Sequence, residues 1–257
     1  MKYQRGITIV ELIVVMLLTS FFVTLIAQFT IGFWRDGFLE EADLDTFNTR
    51  LTAGDIIRDS VGTSQGMIMQ NSIADPNPMN ADPTDVSGTH WIAIHAIPGT
   101  TNIPASGSTA PLVYYRRPAQ ATNGTYIMNG TVPYEDEYVL YLDGTTKSLM
   151  MRTLANSFAD GNRLKTSCPP SIATTSCPAD KTVATDLSSV TMRYFSRTGN
   201  TIDWTSITDP NTGSYIGPDF TAVEVAEFTL NITKKPYLQT TNATVNSTII
   251  RVALRNA

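Results

Sequence analysis

Cysteine and histidine are scarce in this sequence, two of each among 257 residues. That scarcity argues against a zinc framework, which needs about four ligands at close spacing. Cys168 and Cys177 enclose "PPSIATTS", and neither His90 nor His95 lies near them in sequence. A redox pair would prefer Cys-x-x-Cys at a helix start. The two cysteines are therefore expected to form a structural disulfide, worth roughly 2–3 kcal/mol for a loop of this size in the chain-entropy picture. Positive charge is also short: 18 Lys and Arg against 23 Asp and Glu, a formal net charge of −5. General nucleic-acid binding needs a basic surface to displace counterions from phosphate, so no such partner is expected. No G-x-S-x-G, P-loop, H-E-x-x-H or Gly-rich dinucleotide motif occurs. His90 and His95 lie five apart on a candidate strand, which puts them on opposite faces. Nothing indicates an enzyme, a metal site or a cofactor.

Charge is absent altogether from Leu12 to Trp34, 23 residues. At 1.5 Å per residue this run can cross a bilayer core of about 30 Å. Lys2 and Arg5 precede it, so by the positive-inside rule the N-terminus stays cytoplasmic and the rest of the chain lies outside. No A-x-A-like cleavage site follows the run, and it is read as a retained single-pass anchor in the cytoplasmic (inner) membrane. Glu11 stands at its start. A carboxylate inside an apolar helix costs about 2.5–3.5 kcal/mol at mid-bilayer and less near the interface, so Glu11 is expected to have a cationic partner.

"RG" followed by "ITIVELIVVMLL" resembles the leader and methylation motif of type IV prepilins and type II secretion pseudopilins. The resemblance implies a leader of Met1–Gly6, cleaved between Gly6 and Ile7 by prepilin peptidase, and N-methylation at Ile7. It makes Glu11 the assembly residue, pairing with the Ile7 ammonium of a neighbouring subunit. Such a charge is tolerated when paired and strongly destabilising when not, which would make it costly in the lone subunit. The mature chain would have 251 residues (257 − 6), and losing Lys2 and Arg5 takes its side-chain charge from −5 to −7. Family members most often carry Phe after the Gly; here it is Ile7. The stretches "TMRYFSRTGNTIDW", "VEVAEFTLNIT" and "IIRVALRN" look like the large minor pilins and J-class minor pseudopilins.

Beyond the anchor, Leu44, Phe47 and Leu51 share one helical face, and a second stripe, Ile56, Ile57 and Val61, starts near Gly54, where the helix is weakest. Gly32 and Gly37 each cost about 1 kcal/mol in a helix and, by resemblance, mark a place to bend during assembly. Residues 63–88, with Pro76, Pro78 and Pro83, read as a solvated loop. Asp75, Asp82 and Asp85 in it do not match the spacing of a calcium loop. Strand signals follow in "HWIAIHAI", "LVYYRR", "EYVLYLDGTTKSLMMRTL" with a hairpin at Asp143-Gly144, "SSVTMRYFSRTGNTIDW" with a turn at Gly199-Asn200, "AVEVAEFTLNITKK" and "NSTIIRVALRNA". Tyr114, Tyr115, Tyr138 and Tyr141 read as sheet packing rather than a binding surface. Five N-x-S/T sequons, beginning at Asn123, Asn129, Asn231, Asn242 and Asn246, are given no role.

One helix followed by antiparallel hairpins gives an α+β, pilin-like fold, the long N-terminal helix packing on an antiparallel sheet. The expected divisions are a leader 1–6, a transmembrane and filament-core helix 7–34, its amphipathic continuation 35–62, and a β-rich domain 63–257. The function so implied is a minor pilin or pseudopilin that primes or caps a type IV pilus or related filament, at the cell surface or in the periplasm. Its partners would be prepilin peptidase and other pilins. Two other readings are a filament-tip adhesin or DNA-uptake subunit, and an unprocessed membrane-anchored surface protein.

Overall fold

A computed structural model describes residues 8–94, 99–195, 207–208, 215–216, 223–234 and 244–254. The elements are one helix, α1 (Ile9–Gly62), and the strands β1 (Gly66–Ile68), β2 (Thr100–Asn102), β3 (Thr109–Pro118), β4 (Met128–Asn129), β5 (Val132–Pro133), β6 (Glu135–Asp143), β7 (Ser148–Leu154), β8 (Lys181–Ala184), β9 (Leu187–Phe195), β10 (Ile207–Thr208), β11 (Tyr215–Ile216), β12 (Val225–Lys234) and β13 (Thr244–Ala253). This is the α+β, pilin-like arrangement of one long helix and antiparallel sheets. The chain divides into two compact units, Met1–Asp45 with Lys235–Ala243, and Thr46–Lys234 with Thr244–Ala257.

In the first unit the helix leaves its apolar residues uncovered. Leu12 is 49 % exposed, Phe21 60 % and Phe33 71 %. Its hydroxyls are satisfied within the helix: Thr19, Thr24 and Thr30 donate to the carbonyls of Val15, Ser20 and Ile26, and Ser20 to that of Leu17. A polar group with no water nearby costs several kcal/mol unless bonded, so this back-bonding suits a helix in an apolar medium. The helix is long and apolar enough to cross a membrane.

The second unit holds two main sheets, in the orders β1-β3-β6-β7-β8 and β13-β12-β9-β2, with every strand pairing antiparallel. Ala53, Ile57 and Val61 of α1 share one core with Leu140, Leu142 and Leu149 of the first sheet and Met192, Phe228 and Ile250 of the second. A separate cluster joins Trp91, Tyr114, Val139, Tyr141, Met150 and Leu154. Side chains alternate along a strand, so β6 sends Tyr138, Leu140 and Leu142 into one core and Val139 and Tyr141 into the other. Both faces of this sheet are covered, and β6 is therefore a continuous buried run. Tyr114 and Tyr115 likewise divide between the two cores.

Several expectations are corrected. The helix runs unbroken through Gly54, which lies on its buried face with Ala53, Ile57, Ser60 and Val61. Leu44, Phe47 and Leu51 are 63 %, 54 % and 52 % exposed. At about 100° per residue their stripe points roughly 110° away from the face that the core covers. Residues 63–88 are not simply solvated: Ser64, Asn71 and Asp75 are buried, and β1 pairs with β3. "HWIAIHAI" forms no strand over its described residues. Trp91 makes an isolated bridge to Ala81 and packs as an anchor of the second cluster, and residues 95–98 lie outside the described residues. The β6–β7 connection is four residues long, closing at Asp143↔Ser148. The Asp143 carboxylate accepts from the Thr145 and Thr146 amides, and Lys147 takes a left-handed φ of 52°. A Cβ on Gly144 would run into the carbonyls of Pro104 and Ala105, so the first residue of this connection must be glycine. The turn at Gly199-Asn200 lies outside the described residues, and the short strands β2 and β8 carried no recognised sequence signal.

Candidate assembly site

Gly6 and Ile7 fall outside the described residues; the description begins at Thr8, which is where α1 is capped. The Glu11 amide donates to Thr8 Oγ1 at 3.3 Å, and Glu11 Oε2 accepts from the Thr8 amide at 2.9 Å and from its hydroxyl at 3.1 Å. This reciprocal pair is a capping box, which satisfies two of the four amides that every helix start leaves without partners. A carboxylate in the first turn is also favoured by the helix macrodipole, by about 0.3–1 kcal/mol. Thr8 thus holds the Glu11 carboxylate in place, a neutral partner that the sequence reading did not name. The signal, Thr-x-x-Glu at the head of an apolar helix, was present in the sequence.

The cap fixes where the carboxylate stands. Both Thr8 bonds go to Oε2; among the described residues no donor reaches Oε1. Gly32 and Gly37 sit further along α1, and a Cβ built on either would meet nothing within 4 Å. Among the described residues, no close approach requires glycine at those two places.

The other residues singled out from the sequence have structural roles. Cys168 and Cys177 are bonded, with Cα atoms 5.6 Å apart. Just beyond the bridge, Asp180 enters a buried ionic cluster. Arg152 Nε and Nη2 donate to the two oxygens of Asp180 at 2.7 and 2.8 Å, and Nη1 to Asp75 Oδ2 at 2.7 Å. All three side chains are fully buried. Asp180 also accepts from the Tyr141 and Ser167 hydroxyls, and Asp75 from the Trp91 indole and the Asn77 amide. The guanidinium lies over the Trp91 ring, 5.4 Å from its centroid. Burial and the Asp180 carboxylate push the Tyr141 phenol up, keeping it a donor. Asp75, expected in a solvated loop, is instead what fastens that loop to the sheet.

Asp82 and Asp85 cap their own turns. Asp85 accepts from Ser87, Thr89 and His90, including His90 Nδ1 at 2.8 Å. Those bonds, the Ser87 hydroxyl first, hold its carboxyl well below the usual range. The His90 ring is thus occupied, and among the described residues no group of three or more His, Cys, Asp or Glu is placed to hold a metal ion.

Residues 1–27 match the prokaryotic N-terminal methylation motif. No curated protein and no solved structure matches the chain. With the capped, uncovered apolar helix behind it, the N-terminus of this chain carries the signature typical of type IV pilins and pseudopilins.

Proposed function

We propose that this protein is a minor pilin or minor pseudopilin. Prepilin peptidase cuts it between Gly6 and Ile7, Ile7 is N-methylated, and the chain then joins a type IV pilus or related filament in a priming or tip role. The single observation that carries the reading is the methylation motif at residues 1–27 leading directly into a helix whose apolar side chains are uncovered. Such a surface needs lipid before assembly and neighbouring helices after it.

The cap gives the chemistry of docking. Cleavage would create an ammonium at Ile7, one residue before the N-cap. A positive charge at a helix start opposes the macrodipole, and the Thr8 bonds leave Glu11 Oε1 available to a second donor. A neighbour's ammonium supplies both a cation for Glu11 and relief from its own misplaced charge. Gly32 and Gly37, whose added Cβ would meet none of the described residues, would let helices bend or approach closely in the filament.

The N-terminal mass of the filament-associated protein tests the processing step. A methylated Ile7 is expected; a retained Met1–Gly6 leader would sink the reading and leave an ordinary membrane anchor.

A further inference from the structure

The second unit carries a cavity of about 400 Å³ between α1, β6, β7 and the segment around the disulfide. Arg117, Arg163, Lys165 and Lys181 line it, against one carboxylate, Asp59. In a chain of net charge −5 this is a local reversal of sign. Arg117 stacks over Tyr138, 5.5 Å from the ring centroid, and Lys165 donates to the Thr175 carbonyl. Among the described residues, none of the four cations makes an ion pair. Asp136, cross-strand from Arg117, is a partly buried carboxylate that feels both Arg117 and Arg163, so the cavity counts four cations against two nearby carboxylates, Asp59 and Asp136. The floor is apolar, with Ile56, Tyr138, Met151 and Leu164. A concave site with an apolar floor and convergent cations accepts a few side chains that are both acidic and apolar.

The same sequence presents such a surface. From Asp36 to Phe47 there are five acidic residues and no basic one. At about 100° per residue, Asp36, Glu40, Asp43, Leu44, Phe47 and Leu51 fall within one arc of about 100°. All six are exposed. Acidic groups occupy one end of this stripe and apolar groups the other, the pattern of a helix that lays anchors into a groove. Among the described residues, the exposed Leu44, Phe47 and Leu51 belong to neither core cluster.

We propose that the basic cavity is a docking site for the acidic-apolar helix face of a second copy of this chain, Asp36 to Leu51. Its carboxylates meet Arg117, Arg163, Lys165 and Lys181, and Leu44 or Phe47 reaches the floor. The contact is isologous if each copy donates to the other and heterologous if it propagates. It does not depend on leader cleavage.

Carbodiimide cross-linking of the full-length chain in phosphatidylcholine vesicles tests this, with ¹⁴N- and ¹⁵N-labelled copies mixed to separate interchain from intrachain links. Amide bonds from Lys165 or Lys181 to Asp36, Glu40 or Asp43 of the other isotope are expected. Their yield should fall at least tenfold in R163E/K181E and in E40Q/D43N, whose exposed substitutions leave thermal unfolding unchanged. Absence of those links, or their persistence in both variants, overturns the proposal. So does a nucleic-acid site, seen as binding of a 30-nucleotide single strand that R163E/K181E loses while the interchain links are absent. Because the uncleaved chain serves in every arm, failure here leaves the Gly6–Ile7 processing reading standing, and only the N-terminal mass decides that one.

Discussion

Glu11 and Asp180 are both carboxylates set among apolar neighbours, and their company differs. Asp180 meets a fully buried arginine, a phenol and a hydroxyl, and all of its bonds close within the chain. Among the described residues, Glu11 meets one neutral residue, Thr8, through one of its two oxygens. The first site is complete in a single copy. The second is held in position but left with capacity. A charge saturated inside the fold serves the fold; one oriented only by neutral groups fits the assembly role proposed for Glu11.

Substitutions at the two sites should separate these roles. The largest effect is expected from Glu11→Ala: incorporation into filaments drops by at least tenfold, as measured by immunoblot of sheared filaments, while membrane insertion and the unfolding of the second unit stay unchanged. Normal incorporation would break the comparison at once. Arg152→Met removes the cation from between two buried carboxylates, a loss of about 3–5 kcal/mol. At roughly 2–4 °C per kcal/mol for a unit of this size, thermal unfolding should shift by about 6–20 °C, with Gly6–Ile7 processing unaffected. A smaller shift would mean that water enters the cluster.

Smaller changes sharpen the contrast. Cys168→Ser with Cys177→Ser should cost about 2–3 kcal/mol, read as a lower melting temperature that matches the reduced wild type. Thr8→Ala removes the cap at about 1 kcal/mol. Amide exchange in the first turn of α1 should quicken in micelles, with exchange in the second unit unaltered. The smallest effect belongs to Asp85→Asn. The folded pKa of Asp85 lies below its ordinary value of 3.8, through its bonds to Ser87 and His90. Its stabilisation is therefore fully present above the unfolded pKa and is lost as pH falls below about 3.8. The melting difference between wild type and variant should be constant from pH 7 to 5 and shrink below pH 4; a constant difference down to pH 2 would show that Asp85 does not titrate with folding.

The helix and the main hairpins were legible because their signals are local. The 23 uncharged residues specify the apolar half of α1, and "EYVLYLDGTTKSLMMRTL" specifies β6 and β7. The methylation motif at residues 1–27 was legible through its resemblance to prepilin leaders, a basic leader and Gly followed by an apolar helix. What escaped depends on distant partners. The burial of Asp75 requires Arg152, 77 residues on, and no local pattern distinguishes it from Asp82 or Asp85. Trp91 looked like a strand residue because its burial comes from covering the sheet, not from pairing within it. The stripe of Leu44, Phe47 and Leu51 was correctly grouped by period, but period does not say which apolar face finds a partner in its own chain. The capping box is written in the sequence as Thr8-x-x-Glu11, but a carboxylate in an apolar helix points first to a cation and only second to a hydroxyl three residues before it.

The reach of Arg152 also bears on time. It joins β7 to Asp180, 28 residues away, and to Asp75, 77 residues away. Contacts that close long loops form after local hairpins have paid their entropy. Arg152→Met is therefore expected to speed unfolding more than it slows folding, as the two arms of a chevron plot would show. Arg152 then acts as a latch on lifetime. A unit latched in this way is protected by how slowly it comes apart, more than by how quickly it forms.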